Sequence, residues 1–152
     1  MPQPLMMNTV RFLHNLFTAL WIGGILTLAI VILPGIRKNP KVSAPMVVAD
    51  IIQDRLSIVA FISMAGLAIT GILLGRSSKN FTGLFGFGTP YMTALSIKHI
   101  LMILMVVLAF VRRWLNKRIK TEPTAALQKA SGGVLILNSL FGVVVLFLSA
   151  ML

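Results

Sequence analysis

Two histidines lie inside long apolar runs: His14 in RFLHNLFTALWIGG (11–24) and His99 in SIKHILMILMVVLAF (96–110). Each has a cation close by on the chain, Arg11 one turn earlier and Lys98 immediately before. An imidazole in an apolar run costs free energy unless it is hydrogen bonded or ligates something. Two nitrogen donors held on opposite faces of a flat ring make the axial pair of a b-type haem, and Arg11 and Lys98 would then neutralise its propionates. A second chemistry is available, because Met102 follows His99 by three residues and Met64 adds another thioether. Mixed imidazole and thioether ligands suit Cu(I). The plainer alternative is that each histidine bonds a neighbouring serine or carbonyl, the two cations snorkel to the interface and the methionines only pack.

Composition decides what rods hold these residues. With 152 residues, 57% hydrophobic, 11% charged and a mean hydropathy of +0.95, the chain is too apolar for an ordinary soluble domain. Crossing about 30 Å of hydrocarbon takes about 20 mostly apolar residues in a helix, and the segments 9–33, 56–74, 91–111 and 132–151 reach that length. The first has too long an apolar stretch for a cleaved leader, no small-residue cleavage site follows it, and its basic cluster comes after it, so it is expected to be retained.

Backbone polar groups in lipid must be satisfied within the segment, so the expected fold is all-α: an integral membrane antiparallel four-helix bundle forming a single domain over 1–152. Its helices are predicted at about 9–33, 44–74 with an amphipathic start (APMVVADIIQDR), 90–119 and 124–151. Asn8 is expected to cap the first, which should stop before Pro34-Gly35. Ser43 with Pro45, Thr89-Pro90 and Pro123-Thr124 mark the other starts.

The basic residues are lopsided. Arg37, Lys38, Lys41 and Arg55 surround the first connection, and Arg112, Arg113, Lys117, Arg118, Lys120 and Lys129 the third, whereas Arg11, Arg76, Lys79 and Lys98 belong to the other side. The positive-inside rule therefore predicts a plasma (cytoplasmic) membrane protein with basic connections in the cytoplasm and both termini outside. Clustering of the +11 net charge at helix ends, with Trp114 in RRWLNKRIK, fits anionic lipid headgroups better than nucleic acid. Without cysteine there are no disulfides, thiolate metal sites or iron–sulfur clusters.

At helical spacing, Arg11, His14, Thr18, Trp21 and Ile25 share one stripe, and Met92, Ser96, His99, Met102 and Val106 another. The second helix offers Ser63, Gly66 and Thr70, and the fourth Ser131, Asn138, Gly142 and Ser149. In an up-down bundle the first and third helices are diagonal partners, which would put His14 and His99 at related depths on the outer half. Gly66, Thr70 and Gly142 would then make room for a macrocycle. The bland reading of these small residues is helix packing alone.

Several stretches resemble the membrane domain of the CopD family of copper resistance and import proteins. They are LHNLFTALWIGG (13–24) with the proline of VILP (31–34), RLSIVAF (55–61), AITGILL (68–74), SIKHILMILMVVLAFVRR (96–113) and LNSLFGVVVLFLSAML (137–152). The resemblance runs over essentially the whole chain and implies a four-helix membrane protein that handles copper. More distantly the layout is similar to the HemJ-type protoporphyrinogen oxidases, which implies a haem held near a first-helix histidine and a third-helix lysine, the positions of His14 and Lys98. The chain departs from CopD-like proteins in having no additional copper-binding domain. Asn138 stands where many relatives carry an acidic residue.

Electrostatics tilt the expectation toward haem b, since cations stand beside both histidines and the carboxylates Asp50, Asp54 and Glu122 all lie at the cytoplasmic side. The first expectation is thus an electron-transfer protein with bis-histidine ligation by His14 and His99, serving an external redox protein, a quinone or a larger membrane complex. The alternative is copper transport or homeostasis through His14, His99, Met102 and Met64, and a further one is an accessory subunit of a larger complex. A redox carrier or transporter is favoured over an enzyme. The connection 75–90, rich in glycine and aromatics, could cover the bundle mouth, and Asn80-Phe81-Thr82 is a glycosylation sequon.

Overall fold

The computed structural model describes residues 3–38, 43–77 and 86–151, with side chains described at 5–35, 51–77 and 86–151. All regular structure among the described residues is helical. In chain order the elements are α1 (Gln3–Thr27), a π-helical segment (Leu28–Ile32), α2 (Leu33–Lys38), α3 (Ser43–Ser77), α4 (Pro90–Thr121) and α5 (Ala125–Met151). Among the described residues, four stretches are long and apolar enough to cross a membrane: Leu5–Gly35, Ile51–Ser77, Pro90–Thr121 and Ala125–Met151. The chain forms two compact units, Met1–Thr82 and Gly83–Leu152. The covering role of 75–90, the sequon and the basic side chains of Arg37, Lys38 and Lys41 fall wholly or partly outside the described residues.

In the first unit, the leading helix outruns the expected 9–33 at both ends. It begins at Gln3, so Asn8 lies inside the helix and caps nothing. Pro4 explains the early start, since proline in a first turn gives up an N–H that has no helical partner there. At the other end the chain does not stop before Pro34. Five residues wind as a π-turn and Leu33 N–H bonds back to Leu28 O, so the register widens just where Pro34 cannot donate and the helix resumes to Lys38. Helix α3 is a single 35-residue rod, about 52 Å long at 1.5 Å per residue, which exceeds the hydrocarbon thickness. Its first turns therefore precede the crossing.

Helices α1 and α3 pack antiparallel. Gly24 faces Leu56, Phe17 faces Gly66, His14 faces Gly71, and Ser77 Oγ lies 3.4 Å from Met7 Sδ. The buried positions Ser63, Leu67 and Thr70 on α3 step by four and three residues, the seam of a left-handed helix pair. Ile30, Ile58, Ile62, Ile69 and Ile72 point outward and are exposed, as a lipid-facing surface requires.

In the second unit, Thr89 caps α4 as expected: its backbone is extended and its hydroxyl accepts from Met92 N at 3.2 Å, with Pro90 in the first turn. Glu122 ends the helix because the residue before Pro123 is pushed out of the helical region. Thr124 then starts α5, accepting from Leu127 N through its side chain at 3.4 Å and from Gln128 N through its carbonyl at 3.1 Å. Across this short turn Ser131 Oγ donates to Asn116 Oδ1 at 2.7 Å, tying α4 to α5. Among the buried residues of α5, Ser131, Leu135, Asn138, Gly142 and Val145 again alternate steps of four and three, with Gly132 and Ser139 buried beside that row. At the basic end of α4, Arg118 lies over the Trp114 ring, 4.5 Å from its centroid.

Candidate functional site

The first unit holds His14 by its ring. His14 Nδ1 lies 2.9 Å from Thr70 Oγ1, whose own hydroxyl proton goes to Gly66 O at 2.7 Å. A hydroxyl has one proton, so Thr70 accepts from His14, and Nδ1 is the protonated nitrogen. The lone pair is then on Nε2. Backbone of α3 supports the ring from below, since a Cβ at Gly71 would sit 3.7 Å from His14 Cε1. Thr18 turns its hydroxyl back to His14 O at 2.8 Å.

In the second unit His99 reaches the same tautomer by another route. Its Nδ1 lies 2.8 Å from Leu95 O, and a carbonyl can only accept, so Nδ1 again carries the proton and Nε2 the lone pair. One turn earlier Ser96, buried, donates to Gly86 O and accepts from Gly86 N, both at 2.8 Å, and so fastens the approach segment to α4. Met102 is half-buried on the same helix and Met105 fully buried.

The other expected site residues are placed as follows. Arg11 is exposed and Lys98 half-buried, Met64 is half-buried on α3, and Gly142 is buried on α5. At Gly66 the ring of Phe17 fills the space that a side chain would take, and the Thr70 hydroxyl is engaged with His14 and its own helix. Phe17 escaped the sequence reading because a phenylalanine in an apolar run carries no mark of which glycine it will cover. No group of three or more His, Cys, Asp or Glu side chains able to hold a metal ion occurs among the described residues.

An all-helical chain with four membrane-length apolar helices, each histidine mounted on one of them, is a multi-pass membrane protein. The family profile described as copper resistance protein D matches residues 51–152, well over half of the chain, and the chain belongs to that family, CopD. No curated protein and no solved structure matches it.

Proposed function

We propose that this protein binds copper ions within the membrane and transports or sequesters them, the Nε2 atom of His14 serving as a ligand in the first unit and that of His99 in the second, each supplemented by thioether sulfur, with Met64 and Met102 the candidates in their own units. The observation that carries this reading is the shared tautomer. Both rings spend Nδ1–H on an oxygen and keep the lone pair on Nε2, the arrangement by which proteins orient an imidazole for a metal. The family description supplies the metal. Neutral nitrogen and thioether donors suit the monovalent, soft Cu(I), which needs no carboxylate to bind. The membrane is proposed to be the cytoplasmic one, with the basic connections inside.

The test is a competition titration of the purified protein with Cu(I) against a chelator of known affinity. Binding that weakens tenfold or more in both His14→Ala and His99→Ala, together with altered copper tolerance of cells expressing the chain, supports the proposal. Unchanged affinity in both variants overturns it. A reducible Soret band lost in either variant would instead restore haem b as the ligand of these histidines.

A further inference from the structure

Met7, His14 and Trp21 follow one another at seven-residue intervals on α1, and Ser63, Thr70 and Ser77 do so on α3. In the antiparallel pair these become layers. Ser77 Oγ lies 3.4 Å from Met7 Sδ, and His14 bonds Thr70 at 2.9 Å. One step further, the same register brings Trp21 to the level of Ser63, and there no hydrogen bond is made. Trp21 is 2% exposed and Ser63 1%, yet neither the indole Nε1 nor the serine Oγ has a hydrogen-bond partner.

Ser63 is unusual among its own kind. Thr9, Thr18, Ser57, Thr70, Ser77, Thr93, Ser139 and Ser149 all return the hydroxyl proton to the carbonyl four residues back, the default for a hydroxyl on a helix in an apolar setting. The indole N–H can only donate, and the hydroxyl can donate or accept. Two such groups left bare inside a membrane helix pair are costly, and buried orphans of this kind mark an unfilled polar contact. A neutral oxygen able to accept from one and exchange a bond with the other satisfies both at once.

We propose that Trp21 and Ser63 together hold a water molecule between α1 and α3, one layer further into the membrane than the His14–Thr70 pair. This water is bound by the helix pair itself and needs no copper. Replacing Trp114 with phenylalanine leaves Trp21 as the single indole, and the Trp114→Phe chain, labelled with ¹⁵N-tryptophan in lipid nanodiscs, gives one Nε1–H resonance. The expected result is magnetisation transfer from water to that proton, lost in the further variant Ser63→Val, whose methyl groups take the space and offer no polar contact. Absence of transfer in the Trp114→Phe chain overturns the proposal, as does transfer that persists unchanged with valine at 63. Should the valine variant not fold, Ser63→Ala read by the same transfer, expected to weaken, takes its place.

Discussion

Phe17 on α1 packs its ring onto Gly66 on α3, occupying the volume where any other residue would carry a side chain. A β-carbon at 66 must displace the ring or separate the helices. Gly66→Ala is therefore expected to destabilise the first unit by about 1–3 kcal/mol, whereas Gly23→Ala, with nothing within 4 Å of its added atom, should be neutral or stabilising. Thermal unfolding in detergent measures both. Combining Phe17→Ala with Gly66→Ala should cost less than the two single losses added together, because the overlap is then gone.

Thr70 holds the His14 ring through Nδ1, and on the proposed copper role it would orient the ligand without being one. Thr70→Val removes the oxygen that receives His14 Nδ1–H, and with it the preference for a lone pair on Nε2. Copper affinity is expected to fall about 10–100-fold, the usual loss when the partner behind a ligating imidazole is removed. Thr70→Ser should keep most of it. Equal losses in the valine and serine variants would contradict the orienting role.

Ser96 grips one residue with both halves of its hydroxyl. Ser96→Ala leaves Gly86 N and Gly86 O without that partner, at about 1–3 kcal/mol if they stay buried. Because the approach segment lies outside α4, the loss should be local: hydrogen exchange at Gly86 quickens while the amides of the α4 interior keep their protection.

The Ser131–Asn116 bond joins α4 and α5 near their turn. A double-mutant cycle with Ser131→Ala and Asn116→Ala is expected to give a coupling of about 0.5–1.5 kcal/mol. A coupling near zero would mean that packing alone holds the turn.

Much of the fold follows from composition and punctuation. Apolar length marks the four crossings, and Thr89-Pro90 and Thr124 start helices for reasons local to their own side chains. The first helix was legible only in its middle. Its ends depend on how Pro4 and Pro34 are accommodated, and a proline read from sequence announces an interruption without saying whether the helix ends or bends around it. The site divides in the same way. His14 and His99 stand out as ionisable groups in apolar runs, and Thr70 as a polar residue in another, but which oxygen each ring bonds, a hydroxyl 56 residues away and a main-chain carbonyl, is set by packing that the sequence does not spell out. Met7 and Ser77 stand seven residues from His14 and Thr70, a spacing the sequence carries without marking it as a contact.

The wide turn at Leu28–Ile32 admits one residue more than an α-helical turn would, and a residue is worth about 100° of rotation. A helical wheel drawn straight through it assigns the wrong orientation to everything beyond. Deleting a single residue there would restore continuous winding up to the proline, yet swing Leu33–Lys38 by nearly a third of a circle, so this short segment sets the angular phase in which the chain leaves its first crossing.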